Sequence, residues 1–207
     1  MELQYFGANC VRLTTKKASL VVDDNLSKIG LKSITKPTDI CLKTAPYVDV
    51  AEGRFLADMP GEYEISGVSI KGIAARAHMD ESDKKTAVIY VVKADETRVV
   101  ILGHVFPELS EEQLEQIGIV DVAIIPIGNS GYTLDGAGAL SLIKKIEPKI
   151  IVPTHYGDKA INYEVPQQEL AEALKSLAME PLETVTKYKV NSAELGDTTK
   201  LVVLERQ

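Results

Sequence analysis

The chain has 207 residues, of which 45% are apolar and 26% charged, and its formal charge is −7. These fractions are typical of a globular domain, and the acidic excess argues against a general nucleic-acid-binding surface, which requires clustered basic residues. At this length we expect a single domain over residues 1–207, large enough to bury a core without disulfides or a structural metal.

The expected environment of the protein follows from its N-terminus and its cysteines. The first residues lack the basic segment and apolar run of a signal peptide, and no apolar run reaches membrane-spanning length. Cys10 and Cys41 both lie in apolar, strand-like runs, where two reduced thiols are favoured over a disulfide. These features predict a cytoplasmic protein without a membrane partner, and they leave the oligomeric state open.

The first half of the chain consists of short β-forming runs separated by turn residues. Single strands are predicted at 3–6, 10–13, 18–22, 39–42 and 55–57. Two hairpins are predicted next, one joining 62–65 to 68–70 and the other joining 86–92 to 98–102.

The second half of the chain alternates between helical and strand patterns. Ser110 and Gln113 form a capping-box pattern that predicts a helix start, and Asp135 is placed to cap a helix that ends before Pro148. A further helix is predicted over 166–179, and strands are predicted at 120–127, 150–152 and 200–204. Strands followed by mixed strand–helix units indicate an α/β or α+β layered fold.

Each of the three histidines in the chain shortly follows a predicted strand. His78, His104 and His155 occupy these positions, and Asp49 follows the strand at 39–42. Strand ends that gather at one edge of a sheet can bring side chains together, and imidazole is the commonest protein ligand for transition metals. Three imidazoles and a carboxylate would suit zinc or another divalent transition metal. The alternative is three unrelated structural histidines, because any one histidine is more often structural than functional.

Several motifs occur in the order and at the intervals of one known family. They are Tyr5–Gly7, Val22-Asp23, Pro60–Ile65, Leu109–Gln113, Val120–Gly128 with Thr133–Asp135, and Glu147–Tyr156. With these motifs the chain resembles the metallo-β-lactamase superfamily and, within it, the small Zn-dependent hydrolases. The resemblance extends over nearly the whole chain and implies a four-layer αββα sandwich.

The first metal-binding motif of that family is degenerate in this chain. Its form is His-x-His-x-Asp-His, and the corresponding stretch here is Ala-Pro-Tyr-Val-Asp-Val. Ala45, Tyr47 and Val50 therefore stand where the family has histidines, and Asp49 alone is kept. The resemblance argues against the usual two-metal centre.

The same comparison implies a remodelled metal site elsewhere on the predicted rim. It places His78 and His155 at histidine positions of the family, and His104 where the family has a bridging aspartate. We expect one divalent ion, zinc or a similar metal, held by His104, His155, Asp49 and His78. The implied activity is hydrolysis of a small-molecule phosphoester, lactone or other small ester, with Tyr47 as a candidate catalytic donor to an oxyanion.

A catalytically inactive relative is the competing interpretation. In that case Ala45 and Val50 fill the former metal space with methyl groups, Tyr47 closes its mouth, and the protein serves as a ligand- or partner-binding scaffold. Nucleic-acid processing, a third option, is disfavoured by the charge of −7.

Overall fold

The computed structural model describes residues 1–196 and 198–207. Within these residues the chain forms two β-sheets, three α-helices and two short 3-10 turns. The strands are β1 (Glu2–Gly7), β2 (Cys10–Thr14), β3 (Ser19–Val22), β4 (Ile40–Leu42), β5 (Phe55–Ala57), β6 (Gly61–Ile65), β7 (Val68–Ala75), β8 (Ala87–Ala94), β9 (Thr97–Ile101), β10 (Val122–Pro126), β11 (Ile150–Thr154), β12 (Pro181–Val185), β13 (Tyr188–Lys189) and β14 (Lys200–Leu204). The helices are α1 (Glu111–Ile117), α2 (Gly136–Ile146) and α3 (Leu170–Leu177).

The smaller sheet has the strand order β13-β1-β2-β3-β4-β5, and the larger sheet has the order β12-β14-β11-β10-β9-β8-β7-β6. Strands β3, β4 and β5 are parallel to one another, and so are β9, β10 and β11. The carboxyl ends of parallel strands lie at the same edge of a sheet, so each sheet gathers its strand-to-loop junctions on one side.

Apolar side chains between and around the sheets form the core. Strands β10 and β11 are buried at every position, as expected for central parallel strands that are covered on both faces. Helices α1 and α2 contact β7 and β10 of the larger sheet, and α3 packs on α2. The helices thus cover the outer face of this sheet.

The outer face of the smaller sheet carries a thinner layer. A 3-10 turn over Leu26–Ile29 packs there on Cys10 and Val21, so that one short turn covers the sheet on this side. The two packed sheets, with α-helices on the larger sheet and the short turn on the smaller one, confirm the metallo-β-lactamase type of sandwich expected from the sequence. Cys10 and Cys41 are both buried free thiols. No helix among the described residues is long and apolar enough to cross a bilayer.

Helix capping follows the predicted pattern, whereas the predicted helix at 166–179 is wrong at its start. Ser110 and Gln113 make both bonds of the capping box, and the Asp135 side chain accepts a bond from the N–H of Gly138. Helix α3 begins only at Leu170, because the N–H of Gln168 is bonded to the carbonyl of Gly128 instead of a helical partner. The segment 157–169, called the strap below, therefore runs in extended and turn conformations. Strands β12 and β13 were not predicted.

A buried ion pair fixes the start of β4 against β2. Both terminal nitrogens of Arg12 bond to the carboxylate of Asp39, at 3.1 and 3.0 Å, and both residues are buried. A charge left unpaired in such a place is strongly unfavourable, whereas an apolar pair of similar volume is tolerated.

We therefore expect Asp39→Ala to lower the free energy of unfolding by about 3–5 kcal/mol, because it leaves the Arg12 guanidinium without its counter-charge. Urea unfolding of the variant against the wild type measures this. The double variant Arg12→Met with Asp39→Leu should recover part of the loss. A single variant within about 1 kcal/mol of the wild type would contradict the role given to this pair.

Candidate functional site

The strand-to-loop junctions of both sheets meet at one pocket. Asp23 and Thr44 follow β3 and β4 of the smaller sheet, and His104 and His155 follow β9 and β11 of the larger sheet. The pocket has a volume of about 340 Å³, and both histidines line it. The centroids of the two imidazole rings are 5.6 Å apart, and the rings are nearly perpendicular, at 85°. The fold therefore brings two of the three predicted histidines together.

The hydrogen bonds of His104 determine which of its ring nitrogens carries the proton. The Thr44 hydroxyl lies 2.9 Å from Nδ1 of His104 and donates its own hydrogen to Oδ2 of Asp23, at 2.5 Å. Because that hydrogen is engaged, the Thr44 oxygen accepts from an Nδ1–H of the imidazole. Nε2 of His104 then carries the free lone pair.

The strap fixes His155 in the same way. Nδ1 of His155 lies 3.2 Å from Oε1 of Gln167, whose amide nitrogen donates to the carbonyl of Val165 at 2.9 Å. The Gln167 oxygen is thus the acceptor, so His155 also carries its proton on Nδ1 and keeps a lone pair on Nε2. His155 has a left-handed backbone, with φ of 59°.

A chain of buried hydrogen bonds supports this arrangement from below. The Thr154 hydroxyl donates to the side-chain oxygen of Asn9, at 2.8 Å, and the Asn9 amide donates to Asp23, at 3.2 Å. The backbone N–H of Thr44 donates to the other oxygen of Asp23, at 2.8 Å. Burial raises the pKa of Asp23 to about 6, and the bonds from Thr44 and Asn9 counteract part of that rise. The network links both sheets beneath His104.

Both imidazoles of the pair are neutral at physiological pH. Burial lowers the pKa of His104 to about 4, with a smaller contribution from His78. Burial also lowers the pKa of His155 to about 4, and the neighbouring His104 adds to the effect. A neutral imidazole with a fixed Nδ1–H is the form that binds a metal ion through Nε2, so the pair needs no deprotonation to act as a ligand.

The other predicted ligands take different positions. Asp49 lies on the pocket rim, where its carboxylate is 3.0 Å from the ammonium of Lys28 and 72% of its side chain is exposed. The ring of His78 packs against Phe106, with centroids 5.7 Å apart. The backbone N–H of His78 donates to the carbonyl of His104, so the two loops are joined at this point.

Tyr47 lies over the histidine pair. Its ring packs edge-on against His104, with centroids 5.4 Å apart, and it also contacts Tyr132 at 6.4 Å. Although 44% of Tyr47 is exposed, partial burial and the nearby Asp23 raise the pKa of its hydroxyl, so it remains protonated and able to donate. Ala45 is buried close by in the chain, where the family motif has its first histidine.

The positions of the four predicted ligands determine whether they could hold a metal ion together. Among residues 1–196 and 198–207, no three or more His, Cys, Asp or Glu side chains are grouped so as to hold a metal. The two-metal centre of the family therefore does not fit. His104 and His155, whose rings are in contact and whose Nε2 atoms keep their lone pairs, are the two residues that would hold a single ion. The inclusion of Asp49 and His78 as ligands stays a prediction.

A family comparison agrees with this fold. Residues 2–155 match the model of the β-lactamase superfamily domain, which covers most of the chain and includes both histidines of the pair. The chain belongs to this superfamily. The metallo-β-lactamase resemblance predicted from the sequence motifs is thereby confirmed.

Individual relatives are described as metal-dependent enzymes. A UPF0173 metal-dependent hydrolase of Archaeoglobus fulgidus is 26% identical over 106 residues, which are 48% of this chain and 46% of that protein. The match thus spans about half of that relative. Two solved structures share the fold over 99% or more of this chain. One is a protein of Thermotoga maritima assigned to the Zn-dependent hydrolases of the metallo-β-lactamase superfamily, with 22% identity, 99% of its chain covered and a TM-score of 0.74. The other is a metallo hydrolase of Ignicoccus hospitalis, with 19% identity, 94% of its chain covered and a TM-score of 0.63.

The sequence gives no signal for the residues that orient the two imidazoles. Thr44 precedes the degenerate motif directly, and Asn9 lies in the turn between β1 and β2. Gln167 lies in a segment that was predicted to be helical. Threonine, asparagine and glutamine are common in loops and carry no spacing signal, so only the fold could place them next to the histidines.

Proposed function

We propose that the protein is a hydrolase of the metallo-β-lactamase superfamily that works with one divalent metal ion held by His104 and His155. The observation that carries the proposal is the pair of fixed tautomers, with both Nδ1–H groups bonded to polar partners and both rings lining one pocket. Metal-binding histidines typically donate their second N–H to such a partner, which orients the ring and raises its basicity.

The surrounding residues suit hydrolysis of a small molecule. A divalent ion held there would supply Lewis acidity and a water nucleophile at neutral pH. Tyr47 lies within ring contact of His104 and keeps its proton, so its hydroxyl can donate to an oxyanion that develops on the substrate. The pocket of about 340 Å³ is at the small end of the range for ligand sites and limits the size of the substrate.

The test is metal analysis of protein purified without chelator, with zinc, manganese, iron and nickel measured separately. We expect about one ion per chain in the wild type. His104→Ala and His155→Ala should each weaken metal binding by about tenfold or more, since even the loss of an orienting partner has an effect of that size. His78→Ala is the matched variant, and it should retain the ion, because this ring packs on Phe106. Equal metal content in all four proteins, or none in any of them, would refute the proposal.

Activity is measured on the same preparations. Release of nitrophenol from a nitrophenyl ester, opening of a lactone and cleavage of a phosphodiester together cover the substrate classes under consideration. Hydrolysis that stops with a chelator and returns with added metal is expected. Hydrolysis that is unaffected by a chelator would contradict the metal-dependent step.

A catalytically inactive, ligand-binding relative is the second candidate. The ion pair between Asp49 and Lys28 favours it, because it leaves the one retained acidic residue of the family motif engaged elsewhere. This candidate predicts a stably folded protein with a functional pocket that binds no stoichiometric metal. The metal analysis above separates the two functions.

A further inference from the structure

Aromatic rings line the pocket on both sides of the two histidines. Starting at Tyr132, ring contacts run through Tyr47, His104 and His155 to Tyr163, with successive centroids 6.4, 5.4, 5.6 and 5.4 Å apart. Three tyrosines from three separate loops thus flank the two imidazoles. Such a row offers flat, mostly apolar surfaces to a ring-shaped ligand, which stacks on aromatic faces or packs against their edges.

The charges on the pocket wall do not favour an anion. Among the described residues that line the pocket, Lys28 is the sole cationic side chain, and Asp49 already pairs with it at 3.0 Å. Glu164 on the strap adds a second carboxylate to the wall. The carboxylate of Asp23 lies beneath the His104 ring, with Oδ2 3.7 Å from Nδ1 of His104. Phosphate and carboxylate groups are recognised by arginine, lysine or free backbone N–H groups, so the wall of the metal-free pocket would repel them.

We propose that the pocket walls select uncharged aromatic molecules and discriminate against phosphoesters and carboxylates of the same size. The inference rests on the proposed function and deepens it: it names uncharged aromatic esters and lactones as the substrate class, and it narrows the phosphoester, lactone or small-ester range expected from the sequence. Because the proposed preference depends on the pocket walls and not on the ion, it can be tested by ligand binding to the metal-free protein.

The test compares three probes that share one ring, namely benzamide, benzoate and phenyl phosphate. Binding to metal-free protein is followed by calorimetry and by NMR shifts of the tyrosine rings. Benzamide should bind about tenfold more tightly than benzoate, a difference of about 1.4 kcal/mol. Phenyl phosphate should bind most weakly of the three. Tyr163→Leu should weaken benzamide binding, because it removes the ring that faces His155.

Asp49→Asn is the charge variant, because it frees Lys28 to pair with an anion. It should raise the affinity for benzoate and narrow the preference for benzamide. Glu81→Gln is the matched control, since Glu81 also pairs with an exposed lysine, Lys84, at 3.1 Å but does not line the pocket. Benzoate binding as tightly as benzamide to the wild type, or no binding of benzamide at millimolar concentration, would overturn the proposal. Metal content is measured separately, so the proposed hydrolase can fail while the ligand preference stands, and the reverse.

Discussion

The metal-free protein is expected to lose stability as the pH falls from about 6.5 to 4. His104 and His155 have pKa values lowered to about 4 by burial, against 6.5 for an exposed histidine. A lowered histidine pKa stabilises the folded state above pH 6.5, and this stabilisation disappears as the pH falls through the folded-state value. Each histidine accounts for about 3 kcal/mol, at about 1.4 kcal/mol for each unit of pKa.

Asp23 acts in the opposite direction over nearly the same range. Its pKa is raised to about 6 from 3.8, so the folded state binds this proton more readily than the unfolded state does. Its contribution is therefore present below pH 3.8 and is lost as the pH rises through about 6. Protonation of Asp23 on acidification therefore stabilises the folded state by about 3 kcal/mol. Set against the loss from the two histidines, this leaves a net loss of stability of about 3 kcal/mol between pH 6.5 and 4.

Urea unfolding at half-unit pH steps with a chelator present measures this slope. His155→Gln should remove one of the two histidine contributions, so that the net loss nearly disappears. His78→Gln is the comparison, and it should change the slope less, because this ring is only half buried. A wild-type stability that stays constant or rises as the pH falls to 4 would show that the two imidazoles are not buried as a neutral pair.

Most of the fold could be predicted from the sequence because its signals are local. The alternating and continuous apolar runs predicted the strands of both sheets up to 102, and the Ser110 capping box and the Asp135 cap marked two helix starts. The start of α3 could not be predicted, because residues 166–169 have a helical pattern but bond to the distant Gly128 and Gly157. A local pattern carries no information about such long-range backbone partners.

The site was predictable only in part, for a similar reason. The positions of His104 and His155 after parallel strands were sufficient to expect them at one rim, and they lie together. Asp49 also follows a strand, but it lies seven residues after the end of β4, in a loop at the surface. There its carboxylate pairs with Lys28. The orientation of each imidazole depends on Thr44 and Gln167, which the sequence gives no reason to select. Chain position thus predicts which residues approach a rim, but hydrogen bonding decides what they can do there.

Gly103→Ala is expected to disrupt both the stability and the histidine pair. Gly103 has a left-handed backbone with φ of 58°, and a Cβ at this position would lie 2.3 Å from Cβ of Thr44. The substitution therefore combines the strain of a left-handed alanine, about 1–2 kcal/mol, with an overpacking penalty of about 1–3 kcal/mol or more. Because Thr44 must move, it would also lose its bonds to His104 and Asp23.

Gly131→Ala separates these effects, since Gly131 also has a left-handed backbone, with φ of 81°, but nothing lies within 4 Å of an added Cβ. It should be destabilised by the strain alone, about 1–2 kcal/mol, and should keep the metal affinity of the wild type. Gly103→Ala should unfold at clearly lower urea concentration than Gly131→Ala and bind metal about 10–100-fold more weakly, as found when an orienting partner of a metal-binding histidine is lost. Equal stability and equal metal affinity in the two variants would mean that the close packing of Thr44 on the loop of His104 does not orient that imidazole. The proposed site would then lack the hydrogen bond that leaves Nε2 of His104 free to bind the ion.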